Sequence, residues 1–185
     1  MKRLPLLLAF AAGLVALAAL GQAGWIWAKA WAARGLIEQA WTETLAGTRQ
    51  ARPWPWADTW PVARLAFPSL DTERLVLEGE DGRALAFGPV TREEGPVRAV
   101  FGHRDTHFRV IADLSRGDPV DWIGRDGVPR HYRVADMAVL HKDAVALPQD
   151  APSDALLLIT CYPFDALLPD TPLRYVVLAS PEPEA

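Results

Sequence analysis

The chain carries one cysteine, Cys161, directly after the apolar run Ala155-Leu156-Leu157-Leu158-Ile159-Thr160. A lone thiol has no partner for an intramolecular disulfide, and in an exported protein an unpaired cysteine needs another reason to be there. Tyr162 and Pro163 follow. Proline cannot continue a central strand, so the thiol is expected at a strand end, on a rim where loops converge. Arg174 lies in the apolar run Leu173 to Leu178, and His103 lies in Phe101-Gly102-His103-Arg104-Asp105, after the run Val97 to Phe101. Thiol, imidazole and guanidinium beside strand-like runs are the parts needed for nucleophilic acyl transfer. The thiolate attacks, the ring carries the proton, and the fixed cation meets a developing oxyanion. Plainer roles compete, since a free cysteine packs as a small core residue and a strand arginine usually faces water.

The other histidines point elsewhere. His103 and His107 have H-x-x-x-H spacing, but the glutamate that zinc proteases place after the first histidine is missing. The pair also follows a strand-like run and a glycine rather than lying in a helical pattern. No metal and no cofactor is therefore expected. His131 and His141 stand among polar residues and read as surface groups.

With 185 residues the chain has room for one domain with a proper core, plus an appendage. Its formal net charge of −4 argues against nucleic-acid binding, which leaves a basic footprint. Seven of the eight tryptophans precede residue 61, which separates an unusual N-terminal third from an ordinary globular remainder. Lys2 and Arg3 precede a stretch without charge from Leu4 to Ala28. A helix needs roughly 20 such residues to cross a bilayer. Trp25, Trp27 and Trp31 then fall where an interfacial belt sits, followed by Lys29 and Arg34. Residues 1–28 therefore read as a membrane signal-anchor whose N-terminus stays cytoplasmic. A cleaved signal peptide is the competing reading, with Ala16-Leu17-Ala18 offering small residues. On either reading the domain that follows is exported, and the anchor makes membrane lipid a partner.

Residues 29–61 read as a helix that ends near Gly47, then a Pro/Trp-rich linker, Arg52-Pro53-Trp54-Pro55-Trp56-Ala57-Asp58-Thr59-Trp60-Pro61. Its prolines bar helix and central strand. Its tryptophans are expected to pack on the domain or reach the bilayer surface. Beyond it the chain is mainly β. Strand-like runs are Val62 to Phe67, Arg74 to Leu77, Ala84 to Phe87, Val97 to Phe101, Pro119 to Ile123, Arg130 to Leu140, Ala155 to Thr160 and Leu173 to Ala179. Turn signals separate them at Glu80-Asp81-Gly82, Gly88-Pro89, Glu94-Gly95-Pro96, Arg116-Gly117-Asp118 and Asp126-Gly127. Phe108 to Leu114 reads as one short helix. Many short strands with this punctuation favour a closed barrel or a sandwich. The domain spans 62–180, and 181–185 form a disordered tail.

The chain resembles the sortases, cysteine transpeptidases of bacterial surfaces. Leu158-Ile159-Thr160-Cys161 is similar to the family's TLxTC-type strand end, with Leu157 where Thr is usual. Gly102-His103-Arg104-Asp105-Thr106-His107-Phe108 looks like its histidine loop, Leu114-Ser115-Arg116-Gly117-Asp118-Pro119-Val120 like its L-x-x-G-D turn, and Leu173-Arg174-Tyr175-Val176-Val177 like its arginine strand. The order His, Cys, Arg agrees, over roughly residues 62 to 180. Single anchor and Pro-Trp linker resemble the sortase group of Gram-negative bacteria. Two positions depart from the family pattern. Gly88-Pro89-Val90-Thr91 stands where Gly-Pro-Gly-His is frequent, and Phe101 stands where a small residue often precedes Gly-His.

The resemblance implies a closed sortase-type barrel of about eight strands with short helices. It implies that Cys161 attacks a Leu-Pro-x-Thr-Gly-like sorting motif of an exported protein and holds the peptide as a thioester. An amine acceptor then takes it away. His103 moves the proton and Arg174 stabilises the oxyanion or the substrate backbone. Asp105 and Thr160 are candidates for substrate contact or for support of the three. The implied location is the inner membrane, single-pass, with the domain in the periplasm. Two rivals remain. One is another cell-envelope cysteine peptidase, although papain-like hydrolases place Cys before His and the Ser-x-Gly-Cys motif of L,D-transpeptidases is absent. The other is a non-catalytic tethered β-domain that binds an envelope partner.

Overall fold

The computed structural model describes residues 3–79, 82–91, 97–145, 154–168 and 171–182. The expected turns at Glu80-Asp81 and Glu94-Gly95-Pro96, the anchor's Lys2, and residues 183–185 of the expected tail lie outside the described residues. The chain divides into two compact units, 1–36 and 37–185. A single helix, α1 (Arg3–Leu45), enters both. In the first unit the side chains of Phe10, Leu14, Leu20, Trp25 and Trp31 are exposed. From Phe10 onward the helix is long and apolar enough to cross a membrane.

In the second unit the end of α1 behaves as an amphipathic helix. Ile37, Ala40, Trp41 and Thr44 are buried, at the i, i+3, i+4, i+7 spacing of one helix face. Thr44 Oγ1 donates to the carbonyls of Ala40 (2.9 Å) and Pro61 (3.3 Å), and Glu38 pairs with Arg64 at 2.8 Å. The helix stops where the sequence places its end. Gly47 takes φ +102, and Thr48 N–H donates to Glu43 O at 3.0 Å, satisfying a carbonyl of the last turn. Within the linker, Trp54 meets Phe87 edge-on at 5.0 Å, and Trp60 packs against the main core. Trp56 does neither and is 81% exposed.

Eight strands close into a barrel: β1 (Pro61–Phe67), β2 (Thr72–Glu78), β3 (Val90–Thr91), β4 (Arg98–Phe101), β5 (Pro119–Gly124), β6 (Pro129–His141), β7 (Leu156–Tyr162) and β8 (Leu173–Pro181). Their order around the barrel is β1-β2-β3-β4-β7-β8-β6-β5. Closure removes the exposed sheet edges that an open sheet would present. The β2–β3 and β4–β7 pairs are parallel and the rest antiparallel. The turn Leu114–Asp118 leads into β5. Gly117 takes φ +87 there, and Asp118 accepts from Ser115 N–H at 2.9 Å.

Two expectations need correction, and one strand went unread. The run Ala84 to Phe87 is not a strand. It overlaps a single helical turn, α2 (Gly82–Leu85), continued by Phe87 N–H to Ala84 O at 2.9 Å. Ala-Leu-Ala-Phe contains no β-branched residue to favour the extended form, and Ala84 packs with Leu77 and Val90. The tail expected from 181 is the second, since Pro181 still belongs to β8, opposite Tyr132, and Glu182 N–H donates to His131 O at 2.8 Å. The short helix expected over Phe108 to Leu114 is present as a 3-10 helix, Arg109–Asp113, with Phe108 and Ile111 in the core. β3 has only two residues, too few to show alternation.

The barrel interior is filled by Leu65, Val100, Phe108, Leu156, Leu158 and Val177 among others. A second apolar layer lies on the outer face of β4, β7 and β8, from Leu157, Ile159 and Val176 with Ala99, Leu140, Val145 and Leu178. β7 is thus buried on both faces, which explains its unbroken apolar run. At the start of the β4–β7 pair, Arg98 binds Asp154 (2.5 Å) and Tyr132 Oη (2.8 Å) and lies 5.5 Å from the Trp122 ring. Burial raises the Tyr132 phenol above its ordinary pKa, so it remains a neutral hydroxyl there. Leu158→Ala should lower the unfolding free energy by about 2–5 kcal/mol in urea titrations. Leu167→Ala, at a fully exposed position, should change it by less than about 0.5 kcal/mol. Equal effects would contradict this interior.

Candidate active site

The site is built by strand register. β4 runs parallel to β7 with Arg98 opposite Leu156 and Phe101 opposite Ile159. The pairing continues one step past β4, as Gly102 N–H donates to Ile159 O at 3.1 Å. His103 and Cys161 therefore leave adjacent strands at the same end of the barrel. On the other side of β7, antiparallel register sets Cys161 opposite Arg174. Side chains alternate along a strand. Leu156, Leu158 and Thr160 take the inner face, whereas Leu157, Ile159 and Cys161 take the outer. Val177 and Ala179 likewise face inward, and Arg174, Val176 and Leu178 outward. Thiol and guanidinium thus share one face.

The glycine before the histidine has a steric cause. A Cβ on Gly102 would stand 2.5 Å from Phe108 Cγ. The Phe108 ring is fully buried against that backbone, and its N–H returns to His103 O at 2.9 Å. The loop therefore folds tightly around His103, whose side chain is exposed. Thr160 is buried, and its hydroxyl donates to Gly102 O at 2.7 Å. It supports the histidine strand from the residue next to Cys161 and lies on the inner face.

Cys161 and Arg174 are both half-buried. Arg174 Nη1 donates to Thr171 O (2.6 Å) and Leu173 O (2.9 Å), so two carbonyls hold one corner of the guanidinium. No hydrogen bond joins the His103 imidazole to the Cys161 thiol among the described residues, and catalytic hydrogen bonds commonly tighten only around substrate. Asp105, the other candidate for support, has an exposed carboxylate that accepts from Arg104 Nε at 3.1 Å. His131 pairs with Asp121 at 2.7 Å on the surface at the opposite end of the barrel, whereas His141, which pairs with Asp143 at 3.2 Å, is exposed at the end of β6 opposite Leu173, one strand beyond Arg174.

Sequence reasoning missed two features beside the site. Tyr162, Phe164 and Tyr175 form an aromatic cluster, with Phe164 edge-on to Tyr162 at 6.0 Å and to Tyr175 at 5.2 Å. Burial, with Tyr162 alongside, raises the Tyr175 pKa, so its neutral hydroxyl donates to Met137 Sδ at 3.2 Å. Arg104 is one residue of the histidine motif in the sequence, yet it is buried. No local pattern signals a buried arginine, because its acceptors lie about sixty residues away in sequence.

Comparison with known proteins agrees with this fold. Residues 65–182 match the family model described as the Sortase domain. Sortase D of Bacillus subtilis (strain 168) is 28% identical over 120 residues, covering 61% of this chain and 60% of that protein. The chain thus spans about 60% of the length of that relative. Among solved structures, sortase A from Corynebacterium diphtheriae superposes with TM-score 0.60 at 22% identity, over 70% of this chain and 64% of that one. Sortase C-1 from Actinomyces oris superposes with TM-score 0.57 at 25% identity, over 67% and 76%.

Gly102→Ala should be destabilising by about 1–3 kcal/mol, because a methyl group must displace a fully buried ring. Thermal or urea unfolding checks it. Gly82→Ala, where an added Cβ meets open space, should cost none of this.

Proposed function

Since the chain belongs to the sortase family, we propose that it is a membrane-anchored cysteine transpeptidase acting on exported proteins. The observation that carries this reading is the convergence of His103, Cys161 and Arg174 on one end of a closed barrel, on three neighbouring strand exits. In this reading residues 1–28 anchor the chain in the inner membrane, 29–61 form its helix and linker, and 62–180 are the catalytic domain on the extracytoplasmic side. The Pro-Trp linker after one anchor supports placing it with the Gram-negative group.

The chemistry follows from the residue types. The Cys161 thiolate attacks a peptide carbonyl, forming the S–C bond and moving charge to the carbonyl oxygen. Arg174, whose Nε and Nη2 have no partner among the described residues, stabilises that oxyanion. His103 donates a proton to the departing amine as the C–N bond breaks, leaving a thioester on Cys161. An incoming amine then attacks the thioester, His103 takes its proton, and the thiolate leaves as the new amide forms.

A mostly apolar cavity, lined by Leu140, Val145, Leu157, Val176 and Leu178 among others and with Asp136 as its one charged member, supports a peptide substrate with an apolar residue ahead of the scissile bond. It opens on the outer face that Cys161 and Arg174 share. A Leu-Pro-x-Thr-Gly-like sorting signal has that character, with the bond between Thr and Gly as the one broken.

Mass spectrometry of the protein incubated with Leu-Pro-x-Thr-Gly peptides should detect a thioester adduct that Cys161→Ala abolishes. Absence of an adduct across a peptide library overturns the reading. His103→Ala and Arg174→Ala should each lower turnover by about 10²- to 10⁴-fold with unchanged thermal midpoints. Loss of folding in either variant would assign that residue to structure instead.

A further inference from the structure

Among the described residues Arg104 is the one charged residue that is buried, and the proposed reaction gives it no step. Its side chain is 2% exposed, directly after His103. A guanidinium is costly to bury unless its donors are met. Its carboxylate neighbour Asp105 takes only Nε and is itself 66% exposed. The remaining donors go to the backbone of the loop that follows Cys161. Nη1 binds Pro163 O at 3.0 Å, and Nη2 binds Ala166 O at 2.8 Å and Leu168 O at 2.6 Å. Arg109 takes a fourth carbonyl of the same loop, Phe164 O at 3.2 Å, and lies 5.7 Å from the Phe164 ring.

Every one of these bonds to a carbonyl crosses from the histidine side of the site to the cysteine side. Segment 163–168 has no strand partner of its own, so without these donors several of its carbonyls would turn to water. The same segment leads toward Thr171 and Leu173, whose carbonyls hold Arg174. The fork thus joins the backbone of His103, the exit of Cys161 and the approach to Arg174.

We propose that Arg104 is a positioning residue for transpeptidation: its buried fork locks loop 163–168 against the histidine loop and so keeps His103, Cys161 and Arg174 in register. The inference rests on the transpeptidase reading for its effect on rate, but the clamp itself does not. Shape matters here as much as charge. A planar five-donor fork meets several carbonyls in fixed directions, whereas a lysine ammonium is a point charge that cannot span them.

The test uses the full chain in detergent micelles, as wild type, Arg104→Lys and Arg104→Gln, each first checked for a cooperative thermal transition. Hydrogen exchange at the Ala166 amide, which donates to Pro163 O at 3.3 Å within segment 163–168, should rise by about tenfold or more in both variants, with β5 unchanged. Single-turnover thioester formation with a Leu-Pro-x-Thr-Gly peptide should fall by about 30- to 100-fold, in kcat rather than KM, as expected when reacting groups are misplaced by about an ångström. Alkylation of Cys161 by iodoacetamide needs no leaving-amine proton, so it should stay within about threefold of wild type.

Unchanged exchange at the Ala166 amide overturns the proposal. So does a wild-type acylation rate in Arg104→Lys. So does a parallel loss of exchange protection, alkylation and acylation across the whole domain, which marks Arg104 as a general stabiliser. Should Arg104→Gln not fold, Arg104→Lys, which keeps the charge and stem, carries the same readouts. If wild type itself forms no thioester, the transpeptidase reading fails, and the exchange at the Ala166 amide still decides whether the clamp exists.

Discussion

Parallel strands can pair in register only when a long connection brings the second back alongside the first, and β4 with β7 is such a pair. The segment between them includes β5 and β6, which close the far side of the barrel. The pair is then pinned at both ends. Arg98 and Asp154 meet near its start at 2.5 Å, and Thr160 reaches Gly102 O at its exit at 2.7 Å. Between these pins β7 is buried on both faces. A one-residue slip would turn Cys161 into the barrel and Thr160 out of it, because side chains alternate with period two. Register is therefore what brings the strand ends that carry Cys161 and His103 side by side.

The strands supply rigidity, and their ends carry the candidate groups. Inside, Leu156, Leu158 and Val177 fill the barrel. Outside, Leu157, Ile159 and Val176 build a second apolar layer. Cys161 and Arg174 stand where that outer layer gives way to half-exposed polar groups. Their distance along the chain is immaterial, since antiparallel pairing sets them opposite each other. His103 has no strand of its own to hold it. Its loop is held by the Phe108 ring pressed on Gly102 and by the Arg104 fork on loop 163–168.

Much of this was legible in the residues, for reasons specific to each. β7 announced itself by an apolar run that only a doubly buried strand needs, and Pro163 marked its end. Gly47 marked the end of α1 because a left-handed φ there favours glycine. The Leu114–Asp118 turn carried its own Gly and Asp. Other parts were hidden. α2 and β3 are too short for any period to show. Ala84 to Phe87 looked extended because it is apolar, yet burial of Ala84 against Leu77 and Val90 decides its helical turn. Trp54 and Trp60 pack on the domain, while Trp56, of identical chemistry two residues from Trp54, stays in the open.

The sequence by itself determined the types of the candidate groups, their order along the chain and the strand ends on which they stand. Those follow from local rules, since proline stops a strand, glycine permits a tight turn and burial on two faces demands unbroken apolar residues. It also set apart an apolar N-terminal helix from a β-rich domain. Only the tertiary structure decided which strand ends meet, which face the thiol takes, and that a motif arginine is a buried clamp rather than a surface charge. The reason is that pairing and burial depend on residues far apart in sequence. Arg104 becomes a fork only when a closed barrel brings Pro163, Ala166 and Leu168 to it.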